Sequence, residues 1–151
     1  MTQPLNDSEM ARWIAWKRAH DAVLAAVARE IHRAAGLSAA DFAVLSRVIE
    51  NGEEGRMPQQ DLGTLLDWKR ARLSRQLSRM AERGLVRREE GPGRRVVVAT
   101  TEEGRTALAA ARPAHARAVR HALFARVPAA AGSDGFWDAV QDIAAPPDAA
   151  R

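Results

Sequence analysis

Between Trp68 and Arg95 the chain carries a dense concentration of positive charge. Ten Lys or Arg and three Glu give this stretch a formal charge of +7, whereas the whole 151-residue chain carries +4, so the remaining residues sum to −3. Positive charge concentrated in this way favours the binding of a polyanion. The stretch combines an amphipathic helix pattern, a stop at Gly84 and two short apolar runs around Gly91-Pro92-Gly93. It therefore predicts a basic helix followed by a β-hairpin.

Helices are also expected outside this stretch, because aromatic residues make up only 5% of the chain and Tyr is absent. Apolar residues at helical spacing predict a long helix over about 9–35 and a second helix after Ser38. A short third helix begins near Pro58, and Asp67 is placed to cap the basic helix.

A further helix should start near Thr101 and run to about Val127, with Pro113 kinking or dividing it. Pro128 and Gly132 are expected to break it before a last short helix over about 136–143. Two helices joined by a tight turn, the second basic on its outer face and followed by a two-stranded ribbon, are typical of a winged helix-turn-helix.

The sequence lacks the residues that several classes of function require. The chain has no Cys, which excludes disulfides, thiolate nucleophiles and thiol redox sensors. The four His show no metal-ligand spacing, and no phosphate loop, activated Ser or paired carboxylate is evident. We therefore expect no enzyme activity, metal or cofactor. No basic run precedes an apolar core near the start, and no apolar window approaches ~20 residues, so we expect a cytoplasmic protein without a membrane partner.

The basic helix presents a stripe of cations without interleaved acids. No Asp or Glu lies between Trp68 and Ala81, so salt bridges one helical turn apart cannot balance the charge. Contact with DNA explains the stripe better than simple solvation. The predicted DNA-binding residues, including two at the hairpin tip, are Lys69, Arg70, Arg72, Ser74, Arg75, Gln76, Arg79, Arg94 and Arg95.

Individual roles follow from side-chain chemistry. Arg and Gln can pair bidentately with base edges, so we expect Arg72 and Gln76 to read bases in the major groove. Lys69 and Arg75 are expected to contact phosphates, and Ser74 suits either role. Trp68, at the start of the basic helix, is expected to pack against the protein rather than to stack on a base.

The hairpin contributes further arginines. Arg87 and Arg88 are neighbours on a strand and point to opposite faces, so at most one of them can face DNA and one is expected to be structural. Arg94 and Arg95 flank the tip, where phosphate or minor-groove contact and simple solvation are both open.

A second group of residues lies near the start of the first helix. Arg12, Trp13, Trp16 and His20, with Lys17 nearby, are suited to line a pocket for an aromatic anion. Trp at helical spacing is more often part of a core or an interface, and Trp16 and His20 share a face simply because they are four residues apart. Both interpretations remain open.

Three runs of this chain resemble the MarR-type (multiple antibiotic resistance regulator) transcription factors. They are Leu37–Leu45 (LSAADFAVL), Trp68–Arg88 (WKRARLSRQLSRMAERGLVRR) and Val96–Arg105 (VVVATTEEGR), and the likeness covers roughly residues 10–127. It implies a homodimer whose terminal helices interlock, two winged motifs on one side, and a pseudo-palindromic operator. Many relatives release DNA on binding a small phenolic or anionic effector. The family's wing usually carries an Asp two residues before an Arg, whereas here Pro92 precedes Arg94.

The expected fold is therefore mainly α with a small β-hairpin wing, namely a winged helix-turn-helix with N- and C-terminal dimerisation helices. We expect a single domain over 1–151, in which 37–100 form the DNA-binding region and 9–36 and 101–145 the helical dimerisation region. The leading hypothesis for function is a homodimeric, sequence-specific repressor that binds double-stranded DNA. A sequence-neutral, chromosome-organising protein and a module that docks an acidic protein partner are the alternatives.

Overall fold

The computed structural model describes residues 3–127 and 133–145. Within these ranges the chain is mainly helical with a small antiparallel sheet, which confirms the fold class expected from the sequence. The helices are α1 (Asp7–Ala35), α2 (Ala39–Asn51), α3 (Gln59–Leu66), α4 (Arg70–Glu82), α5 (Glu102–Ala122) and α6 (Ser133–Ala144), and the strands are β1 (Arg56–Pro58), β2 (Val86–Glu90) and β3 (Val96–Thr100).

Helix α1 has well-defined ends. Asn6 and Glu9 form a capping box, in which each side chain accepts a hydrogen bond from the other's backbone N–H. Gly36 ends the helix in the left-handed conformation at φ 65°, which costs little without a side chain. The 29 residues extend over about 44 Å. The first half is exposed, whereas the second half packs mainly against α5.

The sheet has one strand more than the sequence predicts. Strand β3 lies in the centre and pairs with β2 on one side and with the three-residue β1 on the other. The sequence assigns the first of these residues to a loop and Pro58 to the start of a helix. Three residues are too few to show strand periodicity, and Pro58 is tolerated because β1 is an edge strand.

The turn between α3 and α4 also differs from expectation. Asp67 does not cap α4, because it ends α3 in the left-handed conformation at φ 50°. The next residue, Trp68, donates its backbone N–H to the carbonyl of Gly63 at 3.0 Å. The N-cap of α4 is Lys69, whose side chain makes no capping bond. The amino end of the basic helix is therefore available to an anion.

Helix α5 runs through Pro113 as a single helix, so the proline does not divide it as one sequence interpretation proposed. It ends before a short 3-10 turn at Phe124–Arg126. The predicted breaks at Pro128 and Gly132 lie outside the described residues. The last helix is present and begins at Ser133, a few residues earlier than expected.

The core lies where α2, α3, α4 and the sheet meet, with α5 and the end of α1 on one side. Its fully buried side chains include Leu37, Val44, Leu45, Val48, Leu62, Leu73, Leu77, Met80, Val98 and Leu108. This packing fixes α4 along one face and leaves the opposite face free. No helix in the described ranges is long and apolar enough to cross a membrane.

Candidate nucleic-acid interface

Helix α4 separates its buried face from its charged face. Leu73, Leu77 and Met80 are at most 1% exposed and anchor the helix to the core. The opposite face carries most of the predicted DNA-binding residues. Lys69, Arg70, Arg72, Arg75 and Arg79 are exposed, Ser74 is half-buried and Gln76 is buried.

The position of Gln76 changes the role expected from the sequence. Its side chain is only 5% exposed, and its amide Nε2 donates to Asp41 Oδ1 at 2.7 Å. Its amide oxygen accepts a hydrogen bond from Arg79. A side chain whose donor and acceptor are both used inside the protein is not placed to read a base edge. We therefore reassign Gln76 to supporting the helix.

Asp41 is the centre of a buried polar network that the sequence analysis did not identify. The carboxylate is 1% exposed and also accepts from the Ser38 backbone N–H at 2.8 Å and from Arg83 Nη1 at 2.6 Å. Arg83 donates its other Nη to the carbonyl of Gly36 at 2.9 Å. The network thus joins the end of α1, the first turn of α2, and α4. It sets the orientation of the basic helix relative to the rest of the chain.

Arg72 and Trp68 form a stacked pair at the amino end of α4. The Arg72 guanidinium carbon lies 4.1 Å from the centroid of the Trp68 ring, which is within the range of a cation–π contact. Trp68 is half-buried and packs against the core, as expected from the sequence.

The two strand arginines have different partners. Arg88 donates to the carbonyl of Ser74 at 2.5 Å and to the hydroxyl of Ser78 at 3.2 Å, so it ties β2 to α4. Arg88 is therefore the structural member that the sequence predicted for this pair. Arg87 donates its Nε to Glu89 at 2.5 Å on the other face of the strand.

Glu89 is held between two cations. It accepts hydrogen bonds from Arg87 and from Arg56, which lies on β1 at the far edge of the sheet. The hydrogen bond from Arg87, together with the charges of Arg56 and Arg87, holds the pKa of Glu89 below its ordinary value. The carboxylate therefore stays ionised at neutral pH and connects β1 to β2. Because the shift is downward, its contribution to stability is present at neutral pH and is lost as pH falls through the lowered pKa.

The wing tip is a tight turn. Gly93 and Arg94 both adopt the left-handed conformation, at φ 68° and 58°, and the N–H of Gly91 donates to the carbonyl of Arg95 at 2.7 Å. Two successive residues with positive φ match the twist of a hairpin. The turn exposes both Arg94 and Arg95.

A cleft of about 930 Å³ separates the wing tip from the amino end of α4. Its walls come from α3, the α3–α4 turn and the wing, and its cations are Lys69, Arg70, Arg94 and Arg95. Asp67 is the acid among the residues that line it. The structure thus brings together two groups of predicted DNA-binding residues that lie far apart in the sequence.

The residues considered for an effector pocket are not enclosed. Arg12, Trp13, Trp16 and His20 are all exposed on the first half of α1. Trp13 and Trp16 are 48% and 44% exposed, and the Lys17 ammonium lies 5.3 Å from the Trp13 ring centroid. A pocket at this position would need walls from a second chain. Within the described ranges no three His, Asp or Glu side chains come together to hold a metal ion.

Comparisons with known proteins agree with this geometry. The model of the MarR family matches residues 35–95, which span the core of the winged motif. A MarR family transcriptional regulator from Streptomyces coelicolor, solved in complex with DNA, is 25% identical with a TM-score of 0.84, and the match covers 98% of this chain and 94% of that one. A search of curated proteins finds no match.

Two further solved structures are similar over nearly the whole chain. AbsC, a MarR family transcriptional regulator from Streptomyces coelicolor, is 26% identical with a TM-score of 0.82, and the match covers 95% of this chain and 96% of that one. CouR from Rhodococcus jostii, bound to p-coumaroyl-CoA, is 26% identical with a TM-score of 0.70, and the match covers 96% of this chain and 97% of that one.

Proposed function

We propose that this chain, which is similar over nearly its whole length to MarR family transcriptional regulators, is a homodimeric repressor that recognises a pseudo-palindromic operator. The resemblance to this family noted in the sequence is confirmed, and members of the family are transcriptional regulators rather than enzymes. Repression follows if the operator overlaps a promoter, because the bound dimer occludes it.

One observation carries the proposal, namely a set of exposed cations that have no hydrogen-bond or ion-pair partner among the residues that the structure describes. The side chains of Lys69, Arg70, Arg72, Arg75, Arg94 and Arg95 are exposed and make no hydrogen bond or ion pair with any residue in the described ranges. Like charges that repel one another and have no acidic partner in the described ranges are best explained by an external polyanion. The relative from Streptomyces coelicolor that was crystallised with DNA supports the same identification.

In the proposed complex, α4 and the wing have separate tasks. Helix α4 presents Arg72 and Arg75 on its free face, and an α-helix fits the major groove of about 12 Å. Lys69 lies at the uncapped amino end, where helix dipole and side chain both favour a phosphate. Arg94 and Arg95 extend from the wing towards the neighbouring backbone or minor groove.

Replacing Arg72 with Ala should reduce sequence preference, whereas replacing Arg75 with Ala should weaken binding to all sequences alike. Arg72 is assigned to a base edge, so its loss should cost about 1 to 3 kcal/mol at one base pair per half-site. Arg75 is assigned to a phosphate and serves as the matched control, since it lies on the same helix with the same charge. Competition binding on operator and random duplex measures both. Equal losses on the two duplexes for Arg72→Ala would show that its role is assigned wrongly.

The proposed dimer rests on apolar surface that a single chain leaves exposed. On α1 and near α6 the exposed large apolar side chains are Met10, Trp13, Ile14, Trp16, Leu24, Phe124, Phe136 and Ile143. Surface of this kind, gathered on the terminal helices, marks an interface. The dimer would display two winged motifs to half-sites about 34 Å apart.

At micromolar concentration the chain should have the mass of two protomers, and Leu24→Asp should weaken the dimer about tenfold or more, because it places a charge in an apolar interface. Leu24 is 55% exposed in the single chain. Leu65→Asp is the control, because Leu65 is 46% exposed on α3, away from the terminal helices. Analytical ultracentrifugation measures both variants. A monomeric wild-type chain would remove the two-half-site proposal.

We also propose that a small aromatic or anionic effector binds beside α1. Arg12, Trp13, Trp16 and His20 would form one wall of this site and the second protomer the other. CouR was solved with an aromatic acyl-CoA, which shows that a relative of this fold accepts such a ligand. The dimer would have two geometries, one in which both winged motifs fit the operator and one in which they do not. Release of DNA requires that the effector bind the second geometry more tightly than the first.

Selection of bound duplexes from a random pool tests the function as a whole. The selected duplex should be preferred over random duplex by roughly 10³-fold or more. A ratio near one would favour the sequence-neutral, chromosome-organising alternative, and no binding at moderate salt would favour a protein partner. Challenge of the selected complex with small aromatic acids then tests the effector.

A further inference from the structure

The pairing of Trp68 with Arg72 has a consequence for how this protein reads DNA. The guanidinium lies over the indole face at 4.1 Å, while Arg72 itself is exposed. Stacking uses the face of the planar group and leaves its N–H edge free. Arg72 donates no hydrogen bond to any residue in the described ranges. Its orientation is thus constrained, and all of its donors remain available.

The indole is itself held in place by the turn between α3 and α4. The backbone N–H of Trp68 donates a hydrogen bond to the carbonyl of Gly63, and the indole ring packs against the core. Helix α3 lies close to both the turn and α4, since a side chain added at Gly63 would meet the Trp68 carbonyl oxygen and Leu73 Cδ2 at 3.5 Å. The indole is therefore packed into the same scaffold that holds α4.

Other arginines of the same helix show what is distinctive about Arg72. Arg79 gives one Nη to the amide of Gln76, so part of its donor set is used inside the protein. Arg75 is exposed and has neither an aromatic platform nor a hydrogen-bond partner among the residues that the structure describes. Among the arginines of α4 that the structure describes, only Arg72 has a guanidinium plane held by an aromatic ring while all of its N–H donors remain free.

We propose that Trp68 is a positioning residue that aims the Arg72 guanidinium at one base pair in each half-site, and that guanine is the base it reads. This rests on the proposed function, in which α4 enters the major groove. A guanidinium edge matches the O6 and N7 acceptors of guanine. Because the indole fixes the side chain before binding, less rotamer freedom is lost when the base pair is contacted. Trp68 acts through Arg72 and does not itself touch DNA.

The test compares Trp68→Met and Trp68→Phe with wild type on the selected duplex. The measured quantity is the ratio of affinities for the preferred base pair and for a duplex substituted at that pair alone. Trp68→Met fills the space without a ring face, so the ratio should fall about 3- to 10-fold. Trp68→Phe keeps a smaller ring face, so the ratio should fall only about 2-fold. Affinity for random duplex and its salt dependence should stay unchanged, because no charge is altered.

The same Met substitution in an Arg72→Ala background supplies the control, since it should cause no further change in the ratio. An unchanged ratio in Trp68→Met overturns the inference, as does an equal loss on random duplex or a loss that persists without Arg72. Should Trp68→Met lose the native circular dichroism spectrum, Trp68→Phe decides, and an unchanged ratio there overturns the inference. If wild type prefers no duplex, the proposed function fails and this inference with it. A clear wild-type preference unaffected by either variant removes the inference alone.

Discussion

Replacing both wing arginines, Arg94 and Arg95, with Ala should lower the affinity for duplex DNA of any sequence by roughly 10³-fold near 0.1 M salt. The two side chains face the cleft opposite Lys69 and Arg70. If each contacts a phosphate, the dimer loses four phosphate contacts. Each phosphate contact contributes about 0.9 to the slope of log affinity against log salt, so the slope should become shallower by about 3 to 4. Fluorescence anisotropy over a range of salt concentrations measures both quantities.

A charge-matched control separates contact from net charge. Arg47 and Arg112 both pair with Glu50, at 3.5 and 3.3 Å, outside the cleft. Their double Ala variant changes the formal charge by the same amount, yet the salt slope should stay within about one unit of wild type. If the two double variants lose affinity equally, the wing does not contact DNA and the protein's overall field explains the binding.

Replacing Asp41 with Ala should lower the free energy of unfolding by about 2 to 4 kcal/mol. The carboxylate accepts from Ser38, Gln76 and Arg83, so its removal breaks the Asp41 half of the capping box of α2, at a cost of about 1 kcal/mol. It also leaves the buried Gln76 amide without its acceptor, at a further cost of about 1 to 3 kcal/mol. Urea unfolding at one fixed protein concentration measures the change, because a dimer's stability depends on concentration.

Glu82→Ala is the matched control for Asp41. Glu82 is exposed at the end of α4 and has no hydrogen-bond or ion-pair partner in the described part of the chain. Its removal should change the unfolding free energy by less than about 0.5 kcal/mol. A cost for Asp41→Ala no larger than this control would mean that the network does not hold α4. Asp41→Ala should also lose sequence preference, because the network sets the angle of α4 relative to the rest of the chain.

Local patterns predict much of this fold. The basic helix, its stop at Gly84, the hairpin and the caps at Ser38 and Gly36 follow from residue type and spacing over a few positions. The third strand does not, because Arg56–Pro58 pairs with β3 far along the chain and is too short to show periodicity. The error at Asp67 has the same origin, since the left-handed turn that it adopts depends on how α3 meets α4.

The positions of the candidate site's side chains follow from the sequence only in part, for a related reason. The exposed arginines of α4 follow from the charge stripe, but the stripe alone does not separate Gln76 from them, although Leu73, Gln76 and Leu77 lie at the spacing of the buried face. Its partner Asp41 is 35 residues away, and Arg83 is 42 residues from Asp41. Only the tertiary fold shows that these polar side chains meet. The sequence nevertheless held a signal, since a polar residue on an apolar stripe implies a buried hydrogen-bond partner.

Guanine methylation interference on the selected duplex tests the central claim most directly, namely that guanidinium groups of α4 face base edges in the major groove. Methylation of guanine at N7 blocks the acceptor that an arginine would contact. We expect one sensitive guanine in each of two half-sites about one helical turn apart, and we expect this sensitivity to disappear in Arg72→Ala. Absence of any sensitive guanine, or the same pattern in wild type and Arg72→Ala, would contradict the account.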